Sequence, residues 1–139
     1  MMRRPAAIFL VLALAALALA LALVPAALAG KPGGGNGSSI SLVLLNGDTE
    51  AHFGRQVTFN VSTTATAEPW VNLNCYQNGT WVSGQWQGFF PGYSWGQTFT
   101  LGPTPSWHGG AADCTARLVK FGRNGRESTL ATTSFHVYP

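Results

Sequence analysis

The sequence predicts an all-β fold, an antiparallel sandwich of about seven strands, and three observations carry that expectation. From Ile40 onward apolar and polar residues alternate with period two, no segment there shows helical spacing, and Asn-Gly turn signals recur between the alternating runs. Several short strands in about 100 residues, with turns at such intervals, is the grammar of two sheets packed face to face.

The chain opens differently. Arg3 and Arg4 precede an apolar run from Ala6 to Val24, followed by Pro25 and by Ala27-Leu28-Ala29 before Gly30. A positive n-region, an apolar h-region and an A-x-A site make residues 1–29 a secretory signal peptide, with cleavage expected after Ala29. The run is close to the roughly 20 residues that span a bilayer, so a membrane-tethered chain with an uncleaved signal is the alternative. Cleavage leaves no membrane segment. Residues 30–39, "GKPGGGNGSS", hold no apolar side chain and read as a Gly-rich flexible tether. Residues 40–139 are then one domain.

The whole chain has eight Lys and Arg against five Asp and Glu, but Arg3 and Arg4 belong to the signal. The remainder is near neutrality, and its one basic run, "RLVKFGRNGR", alternates along a strand into Asn124-Gly125. Nucleic acid needs clustered positive charge, so it is not an expected partner.

Taken in order, "ISLVLLN" is a first strand ended by Asn46-Gly47. "RQVTFNVST" sets Val57, Phe59 and Val61 on one face. "WVNLNCYQ" sets Val71, Leu73 and Cys75 on one face and Trp70, Asn72, Asn74 and Tyr76 on the other. Asn78-Gly79 tolerates the positive φ of a type I′ hairpin turn, and "TWVSGQWQGFF" returns as the partner strand. "GQTFTL" is a shorter strand and "ADCTARLVKF" a long one. After Asn124-Gly125, "STLATTSFHVYP" closes the chain.

"GRQVTFNVST", "WVNLNCYQNG", "GGAADCTARL" and "TTSFHVYP" together resemble the immunoglobulin-like modules of secreted bacterial proteins, over Ile40 to Pro139. The resemblance implies an immunoglobulin-like antiparallel β-sandwich. Two positions depart from the antibody pattern: Ala112 stands where the tyrosine corner would be, and Phe59 occupies strand B where a cysteine is usual. On the strand assignment that the resemblance implies, Cys75 lies on strand C and Cys114 on strand F. These are neighbours in one sheet, and both cysteines belong to the inward-facing set. An intra-sheet disulfide is expected between them, in an oxidising compartment. Redox chemistry wants C-x-x-C and zinc wants four ligands; neither pattern is present, so no metal or cofactor is expected.

"GYSWG", residues 92–96, matches G-x-S-x-G, yet nothing after Gly96 reads as the helix that a nucleophile elbow needs. His52, His108 and His136 are dispersed. A Ser-His-Asp set drawn with Asp113 has no supporting spacing, and the five acids occur singly. No catalytic residue is assigned; a minimal serine hydrolase at Ser94 is the remotest reading.

The aromatic residues carry more. Four of five tryptophans fall between Trp70 and Trp95, with Tyr76, Phe89, Phe90 and Tyr93 among them. The outward set of the sheet holding strands C, F and G is Trp70, Asn72, Asn74, Tyr76, Asp113, Thr115, Arg117, His136 and Tyr138. Rings interleaved with amides, a carboxylate and a guanidinium suit a protein or cell-surface partner. A polysaccharide is the alternative, its C–H faces stacked on the rings and its hydroxyls on the polar groups. A third reading has Trp81, Trp86, Phe89 and Phe90 fold over this sheet and bury it. The sequence thus points to a secreted, non-catalytic binding or structural module, a monomer with an adhesion-like role.

Overall fold

The computed structural model describes residues 37–139, so the expected signal peptide and residues 30–36 of the expected tether lie outside the described residues. The elements are β1 (Ser39–Leu44), β2 (Gln56–Ser62), β3 (Trp70–Gln77), β4 (Thr80–Gly88), β5 (Phe99–Thr100), β6 (Ala112–Phe121) and β7 (Glu127–Val137), with no helix among them. They form two antiparallel sheets, ordered β1-β2-β5 and β4-β3-β6-β7.

One core lies between the sheets. Ile40, Val57, Phe59 and Phe99 come from the smaller sheet; Val71, Leu73, Ala116, Leu118 and Ala131 come from the larger, and all are buried. Phe59 meets Phe99 edge-on at 5.3 Å and Phe135 at 6.2 Å. Cys75 and Cys114 are bonded across β3 and β6, in direct register and with Cα atoms 4.1 Å apart.

Turn chemistry follows the sequence closely. Asn78 and Gly79 have φ of 50° and 79°, which makes the tight β3–β4 hairpin. Asn46 and Gly47, at 58° and 74°, end β1 in the same way. In the loop that follows, Asp48 takes a bidentate contact from Arg55: Nη2 to Oδ1 at 2.6 Å and Nε to Oδ2 at 3.0 Å. That guanidinium holds the Asp48 carboxyl below its usual pKa. The loop is also tied to the end of β7, with Phe53 N–H donating to Tyr138 O at 2.8 Å and Tyr138 N–H to Ala51 O at 2.9 Å.

Three features differ from the sequence reading. β1 opens at Ser39, inside the stretch expected as tether; Ser38 is also buried, its hydroxyl 2.8 Å from that of Thr63. The strand expected at "GQTFTL" is only Phe99–Thr100, because side chains rather than a strand bind much of its backbone. Gln85 binds both Thr100 O (2.8 Å) and Thr100 N–H (3.1 Å), Gln87 binds Thr98 O (3.2 Å), and Thr58 binds Gln97 O. Finally, the largest core side chain is Trp107, from the β5–β6 loop. It is fully buried, edge-on to Phe53 at 5.3 Å, with Nε1–H donating to Gly110 O at 3.1 Å.

Candidate functional site

The outer face of the four-stranded sheet is laid out by strand register. One row across β4, β3, β6 and β7 is Trp81, Tyr76, Asp113 and His136; the next is Gly84, Asn74, Thr115 and Ser134. Then come Trp86, Asn72, Arg117 and Thr132, and finally Gly88, Trp70, Val119 and Thr129. Tyr138 follows β7 and sets its ring edge-on to His136 at 4.7 Å. The nine residues singled out in the sequence are therefore neighbours on one face.

They are not equally open. Asn72 was expected outward and does share this face, yet it is buried, because polar neighbours close over it. Trp81 Nε1–H donates to Asn74 Oδ1 (2.9 Å), Asn74 Nδ2 to Asn72 Oδ1 (2.6 Å), and Arg117 Nη2 to the same Asn72 oxygen (2.9 Å). Asn72 Nδ2 reaches Gln85 O at 3.3 Å, and Arg117 continues into an ion pair with Glu127. The chain of contacts leaves no buried side-chain polar atom unpartnered among the described residues. Its guanidinium is held by a carboxylate and an amide, so the centre of the face is polar and fixed.

Trp70 is half-buried. Phe90, Tyr93 and Phe121 surround it edge-on, at 5.5, 5.4 and 6.5 Å. Val119, opposite Trp70 in register, is fully buried yet stands apart from the core between the sheets. This end of the face thus has its own small apolar interior, which ring burial stabilises. Gly88 is part of the same packing: a Cβ there would lie 2.5 Å from both Phe90 and Tyr93. The expected cover of aromatic rings exists only here. Phe89 instead turns into the main core and stacks on Phe99 at 6.3 Å.

Trp81 and Trp86 add to the face instead of closing it. Simple alternation along β4 would put residues 81 and 86 on opposite sides of the sheet. A bulge resets the register, with Cys75 opposite Ser83 and Tyr76 opposite Trp81, which leaves Val82 as the extra residue. Val82 and Ser83 are both buried, and Trp81 emerges on the same side as Trp86. Its indole lies over Gly84 and is 52% exposed; Trp86, Phe121 and Tyr76 are 41%, 46% and 38% exposed.

Catalytic geometry is a separate matter. His136 Nδ1 and Asp113 Oδ1 are 2.7 Å apart, but Ser134, two residues along β7 on the same face, bonds with Thr115 Oγ1 at 3.0 Å. Ser94 is exposed in the irregular segment between β4 and β5, with no helix after it. Among the described residues no group of three His, Cys, Asp or Glu side chains could hold a metal ion. No protein-family model, curated protein or solved structure matches this chain.

Proposed function

We propose that the chain is a secreted, non-catalytic binding module, an immunoglobulin-like sandwich carried behind a cleaved signal. In this reading the outer face of the four-stranded sheet docks a protein or cell-surface partner. The observation that carries it is the run of exposed rings Trp81, Trp86, Phe121 and Tyr76 on one side of one sheet, around the fixed Asn72–Arg117 centre. Aromatic and arginine side chains presented on a rigid element are the usual anchors of protein interfaces. The strand order supports the immunoglobulin-like part, since β3 and β6 lie centrally beside β7 and face a sheet built on β2.

The test is binding of the fluorescently labelled chain to intact bacterial cells and to isolated envelope, against the variant Trp86→Ser/Phe121→Ser. Both positions are about half exposed but pack on each other, and Phe121 on Trp70, so the variant should lose some stability and still fold, which its melting curve checks before binding is compared. Loss of binding in that variant supports the docking face; equal binding by both removes it. N-terminal sequencing of the exported protein tests the leader, with Gly30 expected as the first residue.

A further inference from the structure

A cleft of about 470 Å³ opens along β4, with residues 81–85 on one side and Thr100 and residues 103–106 on the other. That volume lies within the roughly 300–1,000 Å³ of small-molecule sites. The cleft adjoins the outer face at Trp81 but is otherwise built from different residues.

Its walls are preorganised. Thr104 and Trp107 exchange backbone bonds of 2.9 and 3.1 Å, and Thr104 Oγ1–H donates to Val82 O at 2.6 Å. Trp107, fully buried behind this turn, holds it against the core. Pro103 and Pro105 have their φ set by the ring. Opposite them, the indole of Trp81 is held by its bond to Asn74 and rests on Gly84. Little ordering is left for a ligand to impose, which favours affinity.

The lining decides the ligand chemistry. No lining side chain carries a charge; the polar ones are hydroxyls and the amide of Gln85. An acidic polysaccharide or a charged peptide finds no counter-charge there. A peptide added as a further strand would need free edge carbonyls on β4 or β5. Three of these are already taken, Val82 O by Thr104 (2.6 Å), Gly88 O by Gln97 (3.1 Å) and Thr100 O by Gln85 (2.8 Å), and just before β5 Thr98 O is taken by Gln87 (3.2 Å). What fits is a ligand with apolar C–H faces and hydroxyl edges. The electron-rich face of an indole attracts such C–H groups.

We propose that this cleft binds a neutral glycan, one sugar ring stacked on Trp81 and its hydroxyls hydrogen-bonded to Ser106 and Thr100. The site shares Trp81 with the outer face, whereas Trp86 and Phe121 lie on that face alone and do not line the cleft.

The experiment is calorimetric titration of the full-length chain with cellohexaose, xylohexaose, mannohexaose and chitohexaose, and with a hexaproline peptide. Saturable binding of one of these oligosaccharides is expected, weakened about tenfold or more by Trp81→Ala. Ser106→Trp, which fills the cleft from an exposed position, should weaken it equally, whereas Trp86→Ser/Phe121→Ser should leave it unchanged. The proposal is overturned if none of the four sugars binds, or if hexaproline displaces the sugar. It is also overturned if binding survives Ser106→Trp but is lost in the Trp86/Phe121 variant, since the site would then be the open face. Because the two variants touch different surfaces, the cleft and the docking face can fail separately.

Discussion

The indole of Trp81 covers Gly84 so closely that a Cβ at Gly84 would sit 2.8 Å from Trp81 Cζ2. Glycine inside a strand is ordinarily a cost of about 0.5–1 kcal/mol against alanine, so the ring is what this residue accommodates. Gly84→Ala should lift the ring and break its bond to Asn74, worth about 1 kcal/mol. The two effects nearly cancel, so the urea midpoint should barely move while the tryptophan emission shifts to the red. An unchanged spectrum would mean that the ring is not seated on Gly84. Gly88→Ala should behave differently, because two rings, Phe90 and Tyr93, lie 2.5 Å from the new Cβ. Overpacking there should lower stability by about 1–3 kcal/mol.

The Cys75–Cys114 bridge closes a sequence separation of 39 residues, and both cysteines are buried. In the chain-entropy account such a loop contributes about 3–4 kcal/mol, out of about 5–15 kcal/mol for a domain of this size. Cys75→Ala/Cys114→Ala should therefore lower the unfolding free energy by most of that amount in urea titrations. Dithiothreitol without denaturant should leave the bridge intact, since the sulfurs are reached only when the sheets part. Thiol labelling after such treatment measures it.

Period-two alternation placed six of the seven strands to within a residue or two at most of their ends, because each has one buried face and turn residues at its limits. Parity also puts Cys75 and Cys114 on the inward faces of β3 and β6, while the expectation that these strands are neighbours comes from the immunoglobulin-like resemblance. Parity was also the source of what was missed. A bulge at Val82 moves Trp81 across the sheet, and nothing in "TWVSGQWQG" marks where the extra residue falls. Trp107 carries no such signal, because "PSWHGG" has no periodicity; its burial comes from the Thr104–Trp107 turn and the Phe53 contact, both set by tertiary structure. The cleft beside Trp81 was illegible too, since its far wall is that same turn.

The Asn72–Arg117 contact should behave as one unit with its neighbours. Asn72→Ala removes bonds to Arg117, Asn74 and Gln85 O from a buried position, a loss of about 2–3 kcal/mol. Arg117→Ala, in a half-buried position, should cost about 1–2 kcal/mol. The double variant should fall short of the sum by at least about 0.5 kcal/mol, because both changes remove the same bond. Strict additivity in urea titrations would show that the two side chains act independently.

Asp48 supplies the acid-side dependence. Its carboxyl titrates below the ordinary aspartate value because Arg55 donates to it, so the folded state holds the ionised form more strongly than the unfolded chain does. The resulting stability is complete above the unfolded aspartate pKa of about 4 and is lost as pH falls through the lower folded value. Arg55 is half-exposed, so the effect is modest and weakens with salt. Melting curves of Asp48→Asn against wild type should differ at neutral pH and converge toward pH 2. A gap that widens in acid would reverse the assigned sign.

Trp107 ties stability to the cleft. Trp107→Ala should cost about 3–5 kcal/mol, as for any fully buried large ring, and should leave the Gly110 carbonyl without its donor. Trp107→Phe is the more telling change. It keeps a ring against Phe53 but removes the Nε1–H bond, so the fold should survive with a loss of about 1–3 kcal/mol. The Thr104–Trp107 turn should then loosen, since its position depends on the side chain that anchors it. Hydrogen exchange at the Thr104 and Trp107 amides reads this directly. Faster exchange at these two amides than in the rest of the domain would show that Trp107 sets the far wall of the cleft; uniform acceleration would show only a general loss of stability.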